Sequence, residues 1–214
     1  MMRKVALVVI CVIALAGGRV IAEEVEVKPP QKLVAEVTAQ VLTALRAINA
    51  KSGDQSEAVS QKIEEIIVPH LDFTAMSKKV LGKHWRRADA DQRQQFIQEF
   101  KLLLIRTYQT SLSKYSEEEI KFLPFRPGKK PDQLAVVKTE VLRSSGPKIP
   151  INYSLFKKPG SPWKVYDIGI EGISLVTNYR SSFSREIEKS GIEALIKSLA
   201  QRNQEPAVDS QSKS

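Results

Sequence analysis

Cysteine is nearly missing from these 214 residues: Cys11 is the only one. It sits inside an apolar run from Val5 to Ala16, behind Arg3 and Lys4 and ahead of the small residues of Val20-Ile21-Ala22. Charged, then apolar, then small is the pattern of a secretory signal peptide. The run is shorter than the roughly 20 residues that span a bilayer. Cleavage after Ala22 is expected, with residues 1–22 as the leader. Bulky Ile10 before Cys11 argues against a lipoprotein. A chain without its leader then has no cysteine, so disulfides and thiolate metal sites are excluded. Burial alone must hold the fold, and about 190 residues suffice for one domain.

Histidine is scarce too. His70 and His84 stand in separate segments with no acid at ligand spacing, so a metal site is not expected. There is no glycine-rich phosphate loop and no Gly-x-Ser-x-Gly elbow. The best enzymatic constellation is Asp167 and Glu171, on one strand face near Tyr166 and Tyr179. A carboxylate beside a tyrosine in an apolar cup moves protons next to carbonyls. The plainer expectation pairs these acids with Arg180 or Arg185.

Positive charge is in excess. The formal charge is +9, and removal of Arg3, Lys4 and Arg19 leaves +6. A secreted basic chain suits an acidic protein face or an anionic headgroup, and no nucleic-acid motif is present. Lys78, Lys79, Lys83, Arg86 and Arg87 cluster around Trp85, and Lys129 and Lys130 share a turn. Such clusters are ordinarily solvated faces.

Apolar periodicity supplies the architecture. Helical spacing runs from Lys32 to Ala50 through Leu33, Val37, Val41, Leu42, Leu45 and Ile48, and ends at Ser52-Gly53-Asp54. A second helix is predicted from Ser56 to Ile67, stopped by Pro69. Asp72 caps a short helix through Val80, with Gly82 as terminator. The longest helix opens at Asp89 or Asp91 and reaches Tyr115, striped by Phe96, Phe100, Leu103, Leu104, Tyr108 and Leu112. The period then drops to two. Extended runs are predicted at 120–125, 134–142, 149–156 and 163–170, separated by short turns. Two helices close the chain, at 175–190 and 192–201, before a polar tail at 203–214. The expected class is α+β, with a curved four-strand antiparallel sheet packed by helices. Helices that stand away from such a sheet leave an apolar pocket; helices that sit flush leave a plain core.

Three blocks carry a resemblance. Trp163 to Phe183, reading WKVYDIGIEGISLVTNYRSSF, is the most distinctive. Phe73-Thr-Ala-Met76 with Val80-Leu-Gly-Lys-His-Trp85 is the second, and Gln92 to Tyr108 the third. The strand from Ile149 to Leu155 also fits. Together they resemble the MlaC family, also called toluene-tolerance auxiliary proteins, over residues 32–201. The resemblance implies a phospholipid-binding domain over residues 23–202, with a sheet like that of nuclear transport factor 2 joined to a helical lobe. It implies a periplasmic, non-enzymatic carrier without a cofactor, expected to be monomeric. Its implied partners are phospholipid, a lipid-binding ring (MlaD-like) on an inner-membrane ABC transporter, and an outer-membrane lipoprotein complex (MlaA-like). Acyl tails would lie between sheet and helices. The expected tail contacts are Phe73, Met76, Leu81, Trp85, Phe96, Phe100, Leu103, Leu104, Tyr108, Ile151, Tyr153, Leu155, Val165, Ile168, Ile170, Val176, Tyr179 and Phe183. Val165 and Ile168 share a strand face only if a bulge intervenes, with Gly169 and Gly172 as candidates. Two other readings stay open: an isomerase using Asp167 and Tyr179, and an adaptor with a filled core.

Overall fold

The computed structural model describes residues 29–51, 55–114 and 117–204. The expected leader, the break at 52–54, the end of the long helix at Tyr115 and most of the polar tail lie outside them. Helix α1 runs Pro30–Asn49, starting before the predicted Lys32 because Pro30 suits a first helical turn. Helix α2, Ser56–Lys62, does not continue to Ile67 as an α-helix. It widens into a π turn at Ile63–Ile67, where the Val68 N–H reaches back to the Ile63 carbonyl, then tightens to a 3-10 turn at Val68–His70. Pro69 has no N–H to extend an α ladder, so the chain changes its pitch there.

Helix α3, Phe73–Leu81, is capped by Asp72, whose Oδ1 accepts from the Ala75 N–H at 2.7 Å. Gly82, at φ 52°, ends it. A short helix α4, Lys83–Arg87, follows that periodicity did not reveal. Helix α5, Ala90–Lys114, opens on a reciprocal cap. Asp89 Oδ1 accepts from the Gln92 N–H at 2.8 Å, and Gln92 Oε1 from the Asp89 N–H at 3.2 Å.

The sheet has five strands in the order β1-β2-β3-β4-β5, each neighbour antiparallel. They are β1 Glu119–Phe122, β2 Leu134–Leu142, β3 Ile149–Phe156, β4 Lys164–Ile170 and β5 Ile173–Ser174. The fifth strand corrects the expected four. It is two residues long, too short for any alternation to show, and follows the tight turn at Glu171 and Gly172. The bulge needed for Val165 and Ile168 exists, but at Tyr166, not at the glycines. Ser154 pairs with Asp167 and Leu155 with Val165, which leaves Tyr166 as the extra residue.

Helix α6, Leu175–Gln204, is bent at Gly191 (φ 84°, ψ 165°), matching the two predicted closing helices. It also takes in Asn203 and Gln204, which were expected in the tail. Asn203 Nδ2 donates to Glu99 on α5, to the carbonyl at 3.0 Å and to Oε2 at 2.7 Å.

Three apolar clusters form. The first joins α3, α5 and α6 through Met76, Val80, Phe96, Phe100, Phe183 and Leu199. The second seats Val34 of α1 on the sheet residues Val137, Leu155 and Val165. The third joins α1, α2 and α5 through Leu45, Ile48, Val59 and Ile105. The N-terminus of α3 is fastened to β4: the Asp72 N–H donates to the Val165 carbonyl at 2.8 Å, and Lys164 Nζ donates to the Pro69 carbonyl.

Candidate functional site

The three clusters do not close on one another. Between them lies a cavity of about 400 Å³. α1 forms one wall with Leu33, Val34, Val37, Thr38, Val41, Leu42 and Leu45. The π and 3-10 turns add Ile63, Ile67, Val68 and His70. α3 adds Phe73 and Met76, and the C-terminal half of α5 adds Leu104, Ile105, Tyr108, Ser111 and Leu112. The sheet closes it with Ile120, Val141, Ile149, Ile151, Tyr153, Val165, Ile168 and Ile170, and Leu71, Glu171 and Leu175 complete it.

Local structure explains this concentration of aliphatic groups. Residues 33, 37 and 41 recur on one helix face, so α1 turns a continuous stripe inward. The wider π turn brings Ile63, Ile67 and Val68 to one wall. The bulge at Tyr166 puts Val165 and Ile168 on the inner sheet face with Ile151 and Tyr153. Many of these large side chains are only half-buried, since their free surface faces the hollow and not a neighbour.

Polar groups are few and sit at particular places. Glu171 is exposed, at φ 52° in the β4–β5 turn, so it marks an opening. It is the one acid or base besides His70 on the wall, among the described residues. Tyr153 hydrogen-bonds the buried Thr139 side chain, and burial raises its hydroxyl pKa above the ordinary 10. Tyr108 is hydrogen-bonded to Tyr179, and its pKa is likewise raised, first by burial and then by Tyr179. Burial also raises Tyr179, against the opposing hydrogen bonds from Thr107 and Tyr108. These hydroxyls stay protonated at neutral pH. The space can desolvate a long apolar group and offers little directional bonding.

Of the expected contacts, the structure brings Phe73, Met76, Leu104, Tyr108, Ile151, Tyr153, Val165, Ile168 and Ile170 to the wall. It places the others elsewhere. Leu81, Phe96, Phe100, Val176 and Phe183 fill the helical core, with Trp85, Leu103 and Tyr179 packed against it. Leu155 belongs to the core under the sheet. Ring contacts explain why the aromatic stripe is solid. Phe96 stacks on Phe100 at 5.6 Å, and Phe183 meets both edge-on at 5.9 and 6.2 Å. Tyr179 closes the group at 5.4 Å from Phe100.

The α1 wall is what the sequence reading missed, although its stripe was visible. Spacing shows that a helix has an inner face but not what that face meets.

The Asp167–Tyr179 constellation does not form a cup. Neither residue lines the cavity. Asp167 instead caps α6, accepting from the Val176 N–H at 3.1 Å and from Ser174 Oγ at 2.7 Å. It therefore holds a helix start, and no ion pair of Asp167 or Glu171 with Arg180 or Arg185 is formed among the described residues. Tyr166 points away from it, against Phe156 at 5.8 Å and under Lys79 Nζ at 4.7 Å.

The chain is similar to known proteins. The MlaC protein family model matches residues 35–201. The chain is 26% identical over 170 residues to the toluene tolerance protein ttg2D of Pseudomonas putida, covering 78% of this chain and 77% of that one. It is 21% identical over 184 residues to the intermembrane phospholipid transport system binding protein MlaC of Haemophilus influenzae, covering 85% and 86%. A phospholipid-binding protein from Ralstonia solanacearum, solved in complex with a phospholipid, superposes with a TM-score of 0.75 at 32% identity, over 82% of this chain and 97% of that one. With the family model spanning helices, sheet and cavity alike, the chain belongs to the MlaC family.

Proposed function

We propose that this protein is a phospholipid carrier that holds acyl tails in the cavity between α1 and the sheet and leaves the headgroup outside. The observation that carries the reading is an aliphatic hollow of about 400 Å³ in a chain similar to a structure solved with phospholipid bound. A tail of about 15 methylenes costs on the order of 12 kcal/mol to expose to water. A carrier must offset that with a dry wall or the lipid stays in its membrane. Branched aliphatic walls tolerate tails of different lengths, because they impose no directional bonds.

Partners and place follow from the same reading. The carrier works in the periplasm after loss of its leader. It exchanges lipid with an MlaD-like ring on the inner-membrane side and an MlaA-like lipoprotein complex on the outer side. Among the described residues no helix is long and apolar enough to cross a membrane. The reading requires no bond to be made or broken, so no catalytic residue is assigned.

Native mass spectrometry of the purified protein tests this. The expected result is a bound phospholipid mass that disappears in Ile151→Arg while the circular dichroism spectrum is unchanged. Folded protein that neither contains nor accepts phospholipid from vesicles would overturn the proposal and favour an adaptor. Lipid turnover lost in Asp167→Asn, with loading intact, would instead favour an enzyme.

A further inference from the structure

A second hollow, also of about 400 Å³, lies between α4 and the bend of α6. Lys83, His84, Arg87, Ile187, Glu188 and Ile192 line it, and none of them lines the apolar cavity. Ile187 and Ile192 are half-buried against the helical core and give it an apolar floor. Its rim is cationic. Arg87 is exposed and forms no ion pair among the described residues. Lys83 Nζ is held by Glu188 at 2.7 Å, but the two side chains are 59% and 54% exposed. An exposed pair of this kind is worth little in water, so another carboxylate can exchange for Glu188 at small cost. Lys78 and Arg86 add exposed positive charge nearby on α3 and α4.

His84 and the bend of α6 shape the hollow. His84 is only 5% exposed, and its Nε2 has no hydrogen-bond partner. That nitrogen has almost no accessible surface, so the ring senses an occupant of the hollow through its surroundings and not by direct contact. The bend at Gly191 separates Ile187 and Glu188 from Ile192, and all three line the hollow.

We infer that this hollow is a docking site for an acidic segment of a protein partner. A carboxylate displaces Glu188 at Lys83 and reaches Arg87, while an adjacent apolar side chain covers Ile187 and Ile192. The shape decides between protein and membrane. A bilayer presents phosphates across a plane, whereas a concave apolar floor inside a cationic rim selects a carboxylate beside a hydrophobe. The inference does not depend on what fills the apolar cavity.

The test is a titration of the isotopically labelled full-length protein with a peptide of alternating Glu and Leu. Controls are a Lys/Leu peptide, inorganic phosphate and phosphatidylglycerol vesicles. The His84 ring and the Ile187 and Ile192 methyl signals should shift with the Glu/Leu peptide, and the Ile151 methyl signal should not. Arg87→Glu should weaken binding about tenfold, and Glu188→Gln should strengthen it about threefold. Both positions are exposed, so folding is preserved. The inference fails if those signals stay still or if the Lys/Leu peptide or phosphate moves them equally. It also fails if only vesicles move them, or if both variants leave the affinity unchanged. Lipid content, read separately by mass, reports on the cavity alone.

Discussion

Between α3, α5 and α6, aromatic rings close the interior on themselves; between α1 and the sheet, aliphatic side chains surround a space and leave it open. Phe96, Phe100, Phe183 and Tyr179 interlock through centroid distances of 5.3 to 6.2 Å. The opposite wall carries Leu33, Val37, Val41 and Leu42 facing Ile151, Ile168 and Ile170 around the hollow. Flat rings fill volume by stacking and edge contact, so a cluster of them tends toward density. Shorter branched side chains reach less far from their backbones. When two rigid elements are held apart at their ends, those side chains leave a gap. The third apolar cluster holds α1 at its C-terminal end, and Val34 seats its N-terminal end on the sheet. The hollow is what lies between those anchors.

The sharpest way to break this comparison is to truncate one side chain in each region. Phe100→Ala removes a ring that is 0% exposed and contacts three others. Urea unfolding should show a loss of about 3–5 kcal/mol, because a new cavity is created where none existed. Ile151→Ala should cost less, about 1–2 kcal/mol, since Ile151 is half-buried on the cavity wall and is not locked among packed neighbours. Equal losses at the two positions would mean that the hollow is a closed core. A smaller effect tests the seam between the regions. Asp72→Ala removes the cap on α3 beside the β4 attachment and should cost about 1 kcal/mol in the same experiment.

The long α5 helix shows how far sequence reading reaches. Phe96, Phe100, Leu104 and Tyr108 read as one stripe, and all four are apolar or aromatic at intervals of four residues. A helix turns by about 100° per residue, so each such step drifts by about 40°. Over three steps the stripe rotates from α6 toward the sheet. Phe96 and Phe100 therefore enter the closed core, while Leu104 and Tyr108 reach the hollow. Periodicity revealed the inward face but could not show that it has two destinations. The sheet repeats the lesson. Parity at Val165 and Ile168 exposed the need for a bulge, but its position at Tyr166 depends on pairing with β3, a long-range fact. The caps were legible because they are local: Asp72 and Asp89 bond to N–H groups three residues on. The role of Asp167 was not, because its partners Ser174 and Val176 lie in and just after a two-residue strand that carries no pattern.

The smallest expected effect concerns pH and belongs to the closed side of the comparison. Burial lowers the His84 pKa below the ordinary 6.5, reinforced by Lys83 and Arg87 and opposed by Glu188. The unfolded chain then binds a proton at His84 at a higher pH than the folded chain does. Stability from this group is therefore full above pH 6.5 and is lost as the pH falls toward the lowered folded value. The solvated rim charges limit the size, so stability is expected to fall only slightly from pH 7.5 to pH 5.5 through this group. Urea midpoints at those two pH values check it: the wild type should fall further than His84→Gln, which has no ring to protonate. A wild type and variant that fall equally would show that the His84 ring accepts a proton as readily in the folded chain as in the unfolded one. The packing of α4 on α6 would then leave that nitrogen as well solvated as in water, against the burial seen for it.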